Sequence, residues 1–305
     1  MSIRIGVDLG GTKIEAVVLG EDGQERGRLR VPTPRDYDRS IAAVAELVES
    51  VEREVGARGT VGVGIPGSVS PKTGLVRNAN STWLNGRPLE HDLSRALGRP
   101  VRLMNDANCF TLSEATDGAA AGAGSVFGVI IGTGVGGGVV LDGRLIGGAA
   151  GIAGEWGHNP LPWPNRSEWP GRECFCGRRG CIETYCSGPG LERDHADASG
   201  REWPARQIGE AAMGGDEEAR VALDRYVDRL TRSLATVVNL LDPEVVVLGG
   251  GLSNLPELPE RIETGLPDWI FSDHSSTRVV RNRHGDSSGV RGAAWLWPSD
   301  ATPAR

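Results

Sequence analysis

The chain has 305 residues, 39% of them hydrophobic, with 33 basic against 40 acidic side chains and a net charge of -7. That length supplies two domains with substantial cores, and the acidic balance opposes non-specific nucleic-acid binding, so DNA is an unexpected partner. No run approaches the roughly 18 to 20 apolar residues that cross a bilayer, and Ile3 enters a strand without a signal-like segment, so a cytoplasmic protein with reduced thiols is expected.

The first element is a strand, glycine-threonine turn, strand unit at residues 5–19 (IGVDLGGTKIEAVVL). It returns at 127–141 (FGVIIGTGVGGGVVL) with six identities under one constant offset of 122, which predicts two related halves facing one ligand. The β-branched runs read as buried strands, while Gly10, Gly11, Gly132 and Gly134 let the connecting backbone turn tightly and bring N–H groups close to a guest. Thr12 and Thr133 add hydroxyl donors and Lys13 a point charge, a combination that suits phosphate. Asp8 stands in the first copy where the second has Ile130, so only the first copy can hold a magnesium ion. Two familiar glycine motifs are excluded by context. The G-x-G-x-x-G of the second copy runs on into a strand rather than a helix, and the order Gly11-Thr12-Lys13 is not that of a Walker loop.

An amphipathic helix is predicted from Ser40, with Ile41, Val44, Val48, Val51 and Val55 on one face. The strand TVGVGIPG follows and closes on Pro66-Gly67, a turn whose backbone can approach a ligand. The strand VRLMN then runs into a helix at Asp106, which places Asn105 and Asp106 where strand passes into helix. The small, flexible segment AAAGAGS at 119–125 is the best domain boundary, being followed at once by the second glycine unit. Residues 142–200 read as irregular and loop-dominated. A long helix is predicted from about Asp216 to Leu241, ended by Asp242-Pro243. The buried strand EVVVLGGG follows, with a glycine turn at Gly249, Gly250 and Gly251 and with Ser253 or Asn254 to cap the next helix; GVRGAAWLW closes the chain as a helix.

Cys174, Cys176 and Cys181 form C-x-C-G-x-x-G-C, a metal-site pattern in which the glycines permit the turns that converge three sulfurs. With His158 upstream the set gives three thiolates and one imidazole for a closed, structural Zn2+ site that pins a long loop; a metal-free thiol cluster is the alternative. Cys109 and Cys186 lack that context and read as small apolar helix residues.

Taken together, D-L-G-G-T-K, G-I-P-G, N-D-A-N, G-T-G-V-G-G-G, E-W-G-H, C-x-C-G-x-x-G-C-I-E and V-V-L-G-G-G resemble the ROK sugar kinases over nearly the whole chain. The resemblance implies an α/β fold of two actin-like, hexokinase-like (ribonuclease H-like) domains, with a duplicated βββαβα core and an interdomain cleft. The domains would be 1–118 with a C-terminal helix 289–305, and 119–288 carrying the zinc-bound loop. It also implies Asp106 as catalytic base, with Gly67, Asn80, Asn105, Glu155, His158 and Glu183 at the sugar. His158 would touch sugar and zinc alike. ATP and Mg2+ would be held by Asp8, Gly10, Gly11, Thr12, Lys13, Thr133, Gly134 and Gly249 to Gly251. The stretches NANSTWLNG, AGEWGHNPLPW and HGDSSGVRGAAWLW look most like bacterial fructokinases that also accept mannose, so fructose 6-phosphate is the expected product. N-acetylglucosamine, glucose or N-acetylmannosamine is the alternative substrate. A homodimer is implied; a sugar-responsive repressor is disfavoured because the chain starts directly on a strand.

Overall fold

In the computed structural model residues 3–297 are described, and residues 298–305 of the expected C-terminal helix lie outside them. Strands β1 (Arg4–Leu9), β2 (Lys13–Leu19) and β3 (Glu25–Pro32) form an antiparallel meander. They are followed by α1 (Tyr37–Val55), β4 (Thr60–Ile65), the short pair β5 (Ser68–Val69) and β6 (Val76–Arg77), α2 (Leu89–Leu97), β7 (Val101–Asn105) and α3 (Asp106–Thr116). The sheet order is β3-β2-β1-β4-β7, with β1, β4 and β7 parallel.

The second half repeats the plan. Strands β8 (Ser125–Ile131), β9 (Val135–Leu141) and β10 (Arg144–Leu145) come first. Helices α4 (Glu183–Cys186), α5 (Gly188–Ser199), α6 (Ala205–Met213) and α7 (Glu217–Leu241) follow, then β11 (Val245–Gly249), α8 (Leu258–Gly265), β12 (Arg278–Arg281) and α9 (Ser288–Ala294). The order β10-β9-β8-β11-β12 puts each strand in the place of its counterpart in the first sheet. The two glycine units are thus equivalent elements of a duplicated core. Compact packing divides the chain into a first unit of residues 1–122, 138–153 and 286–305, and a second of 123–137 and 154–285. The segment 138–153, expected in the second domain, falls with the first unit although it begins inside β9.

Alternation on β1 explains the first core. Ile5, Val7 and Leu9 join Val44, Leu47, Val48 and Val51 of α1 and Leu89, Leu93 and Leu97 of α2, each such burial contributing roughly 1.5–3 kcal/mol. On the opposite face, a side chain at Gly6 or Gly62 would strike the Val290 or Ala293 carbonyl, so α9 lies directly against the sheet backbone.

Helix α1 starts earlier than Ser40: Asp36 caps it, accepting the Arg39 N–H at 2.9 Å, and Tyr37 and Ser40 are already buried. The aliphatic stripe marks only the part of the buried face built from valine and isoleucine. Helix α7 starts and stops as read, between an Asp216 cap and a left-handed Asp242 (φ 46°). Ser253 and Asn254 do not cap a helix. They lie in a 3-10 turn, Gly251–Asn254, where the Ser253 hydroxyl donates back to the Gly250 carbonyl at 2.7 Å. Nor is 142–200 irregular throughout, since α4 and α5 lie within it. Among the described residues no helix is long and apolar enough to cross a membrane.

Candidate active site

In the first unit, the β1–β2 turn is closed by the Gly10 N–H donating to the Lys13 carbonyl at 3.1 Å, and Gly11 and Thr12 are exposed at its tip. Thr33, just past β3, secures it from outside: its hydroxyl donates to the Gly10 carbonyl (2.7 Å) and its N–H to the Thr12 carbonyl (3.0 Å). Lys13 is half-exposed and pairs with Glu15 at 3.4 Å. That pairing holds its ammonium on the strand, where a phosphate would have to compete for it.

Asp8, at the end of β1, is raised to about 6 by burial and by the negative charges of Asp106 and Glu15, with Lys13 opposing. An under-neutralised carboxylate beside a second one is the electrostatic setting that a divalent cation relieves. Asp106 is the first residue of α3, exposed, its Oδ1 accepting the Ala107 N–H at 2.8 Å. The cap proper is Asn105, whose side-chain oxygen accepts the N–H groups of Ala107 (2.9 Å) and Asn108 (3.3 Å). Its amide donates to the Gly67 carbonyl at 2.9 Å. Asn105 and Gly67, both expected at the sugar, are therefore bonded to each other, and Asn105 has both polar ends engaged in holding Asp106 in place. Gly67 is in the left-handed region (φ 73°), and an added Cβ would lie 2.6 Å from the Ala79 nitrogen, so only glycine fits. Asn80 is exposed in the turn after β6.

In the second unit, Thr133 is exposed at the β8–β9 turn, where the Gly132 N–H donates to the Gly134 carbonyl at 3.0 Å. Glu183, the first residue of α4, reaches this turn, its Oε2 accepting the Val135 N–H at 3.0 Å. Gly250 (φ 81°) turns the chain after β11, and a side chain there would strike the Ile131 carbonyl; Gly249 ends the strand and Gly251 opens the 3-10 turn. Glu155 is exposed and precedes a 3-10 turn, Trp156–His158, without a side-chain capping bond.

The ligand atoms of His158, Cys174, Cys176 and Cys181 all lie within 4.8 Å of one another. The Cys174 sulfur is 3.6 Å from His158 Nδ1, and the Cys176 and Cys181 sulfurs are 3.6 Å apart. Tetrahedral zinc, with sulfur at about 2.3 Å and nitrogen at about 2.0–2.1 Å, spaces its ligand atoms roughly 3.4–3.8 Å apart, so the donors fit that ion. With Nδ1 on the cluster, Nε2 is the nitrogen left for a substrate hydroxyl. Burial pushes Cys181 up to about 12 and raises Cys174, whereas the Arg178 backbone N–H holds Cys176 down to about 7. Cys109 and Cys186 are buried helix residues away from the cluster.

Three supports escaped the sequence reading. Besides Thr33, these are the buried Glu15, which pairs with Arg28, Arg30 and Lys13, and the buried Glu168, which accepts Arg229 Nε at 2.7 Å and Arg232 at 2.9 and 3.1 Å. Glu168 ties the loop before the cysteines to α7. Charge alternation along β3 and arginines three apart on α7 were the available signals.

Residues 4–300 match the ROK family. The N-acetyl-D-glucosamine kinase of Escherichia coli O157:H7 is 43% identical over 300 residues, covering 97% of this chain and 99% of that protein. Among solved structures, a ROK hexokinase from Thermus thermophilus aligns with a TM-score of 0.85 at 36% identity, covering 96% of each chain. A ROK glucokinase from Streptomyces griseus, in complex with glucose and AMPPNP, aligns at 0.78 and 30% identity, covering 97% of this chain and 99% of the other.

Proposed function

The chain belongs to the ROK family, and on that premise we propose that it is an ATP-dependent sugar kinase that phosphorylates the 6-hydroxyl of a hexose. The carrying observation is Asp106 at the start of α3, fixed by the Asn105 cap and within electrostatic reach of Asp8. Phosphoryl transfer through a loose transition state asks the protein for alignment, charge neutralisation and a proton acceptor. Asp106 would take the proton from the attacking hydroxyl, and the proton stays on its carboxyl as ADP leaves. The exposed Gly11 and Thr12 would meet the nucleotide phosphates in the first unit, with Lys13, once drawn from Glu15, beside them. In the second unit Thr133 and Gly134 would do so, with the Gly249 to Gly251 turn on the adenosine side. Mg2+, held on the Asp8 side, would neutralise phosphate charge. Glu155, His158 and Glu183, with Asn80, would take sugar hydroxyls, because acceptors of fixed direction impose stereochemistry on a polyol. Zn2+ would be structural. The same reading has the protein act in the cytoplasm as a homodimer; a monomeric mass by sedimentation would remove the dimer.

For the sugar, the 43% identity to an N-acetyl-D-glucosamine kinase supports N-acetyl-D-glucosamine first. Fructose is a second reading, supported by NANSTWLNG, AGEWGHNPLPW and HGDSSGVRGAAWLW and their likeness to bacterial fructokinases. A coupled ADP-release assay across N-acetyl-D-glucosamine, fructose, mannose, glucose and N-acetylmannosamine decides between them by kcat/KM. Turnover on none of the five removes the kinase reading.

A further inference from the structure

Glu183 has two carboxylate oxygens in different surroundings. Oε2 accepts the Val135 N–H at 3.0 Å, at the exit of the second glycine turn. Oε1 lies on the cluster side, 4.0 Å from the Cys174 sulfur. The chain grips the turn again five residues later, at the start of α5, where the Gly188 N–H donates to the Gly132 carbonyl at 2.7 Å. Both ends of the turn are therefore bonded to a segment that starts two residues after Cys181. Thr133, Cys174 and Glu183 also border one cavity of about 170 Å³.

Gly134 shows how tightly the carboxylate is seated. A Cβ there would lie 2.7 Å from Glu183 Oε2, inside van der Waals contact, while the backbone at this residue is not in the left-handed region. A side chain at 134 would therefore push the Glu183 carboxylate off the turn, whereas the chain's own conformation there does not call for glycine.

We propose that Glu183 is a positioning residue that couples the sugar to the nucleotide. Oε2 holds the turn from Gly132 to Val135 in the shape that receives phosphate, and Oε1 takes a sugar hydroxyl. A carboxylate offers about four acceptor sites, so both partners can be served at once. A hydroxyl on Oε1 fixes the side chain's rotation, and the fixed side chain restrains the turn before nucleotide arrives. By linkage the effect is reciprocal, and sugar and nucleotide each tighten the other. This rests on the kinase reading, from which its own failure is separable.

The test uses the full chain with its zinc. The coupled assay first identifies the hexose of highest kcat/KM; a chain that phosphorylates none fails the kinase reading and the coupling with it. Calorimetric titration of Mg-ADP, with and without that hexose, then reads the coupling. In the parent protein the sugar is expected to tighten ADP by about fivefold or more. Gly134→Ala displaces the carboxylate from the turn and is expected to abolish most of that enhancement, with zinc content unchanged. Adding Glu183→Asp retracts the carboxylate by one methylene and is expected to recover ADP affinity relative to Gly134→Ala alone, a non-additivity that two independent sites do not give. An active parent protein whose ADP affinity ignores the sugar overturns the proposal. So does an undiminished enhancement in Gly134→Ala, a double variant without recovery, or a Gly134→Ala protein that loses its zinc.

Discussion

Asp8 and Glu15 stand directly opposite each other on the adjacent antiparallel strands β1 and β2, and they are neutralised unequally. Arg30 is the next residue along the same rung, opposite Glu15 on β3. Burial pushes Glu15 up, but hydrogen bonds from Arg30 and Arg28 bring it below the usual carboxylate range. Asp8 has only the opposing charge of Lys13 and is raised to about 6. One rung thus carries a satisfied carboxylate and an unsatisfied one, and the unsatisfied one lies beside Asp106.

Asp8 should make stability depend on pH. The folded value of Asp8 exceeds its reference of 3.8, so the folded state binds the proton more tightly, and this residue's contribution to stability is present below 3.8 and lost as pH rises through 6. At neutral pH, Asp8→Asn should therefore stabilise the fold by about 2 kcal/mol after allowance for partial solvent access. The Tm gain should shrink as the pH is lowered through that window, while Mg2+ binding measured with ADP is lost. A lower Tm for the variant at neutral pH contradicts the assignment.

Asp106 and Asn105 should separate chemistry from scaffolding. Asp106→Ala is expected to reduce kcat by about 10²–10⁴, with ADP and sugar affinities largely kept. Its Tm should change by no more than about 1 kcal/mol's worth, the value of a first-turn acid. Sustained turnover in this variant removes Asp106 as the base.

Asn105→Ala, in contrast, should lower both. It removes the α3 cap and leaves the Gly67 carbonyl without its donor, costing about 1–2 kcal/mol in denaturant unfolding. Activity should fall because Asp106 loses its fixed place. Asn105→Asp keeps the cap oxygen but loses the donor to Gly67, and an intermediate result is expected.

Zinc removal should act on the sugar. Chelation or Cys181→Ser frees the loop that carries His158 and leads to Glu183, raising KM for the hexose more than for ATP. With Cys181 pushed up to about 12 in the metal-free protein, binding must displace protons, so zinc affinity should weaken as pH falls. Elemental analysis after dialysis at two pH values checks this; zinc retained equally at both contradicts it.

Glu168 should matter to stability more than any surface ion pair. Burial pushes this carboxyl up, but Arg229, the Asn165 N–H and Arg232 bring it below the usual value. Glu168→Ala leaves two buried guanidiniums without their shared partner and should cost about 3–5 kcal/mol. A loss under 1 kcal/mol, roughly what an exposed pair is worth, would mean that water replaces the carboxylate.

Much of this was legible in the chain. The repeated glycine unit, through its valines, located equivalent strands of two sheets, and the glycine spacing among the cysteines foretold that three sulfurs and His158 would converge. Local pattern carries such features because the partners are neighbours in sequence or share a repeat. Strand β3 (ERGRLRVP), the third of the implied βββαβα core, was not located by pattern because an edge strand with charged side chains lacks an apolar face. Helix α5 was missed because Gly188, Pro189 and Gly190 read as a loop, whereas the Ser187 hydroxyl caps them by accepting the Gly190 N–H at 3.2 Å. The bond from Asn105 to the Gly67 carbonyl and the seating of Glu183 on Val135 were out of reach for another reason. Each joins backbone to side chain across tens of residues, and no periodicity records such a pairing.

The close seating of α9 on Gly6 and Gly62 also fixes an order of events during synthesis. The helix that covers this face of the first unit's sheet is made after β1 and after residues 154–285. Most of the second unit, residues 154–285, is made without interruption before α9 emerges. On the ribosome the unit begun first is therefore finished last, and Val17 and Leu19 stay uncovered until Val290 and Ala294 reach them. A nascent chain arrested before Ser288 should expose that valine-leucine face to chaperones and be cleaved in the first unit sooner than in the second under limited proteolysis.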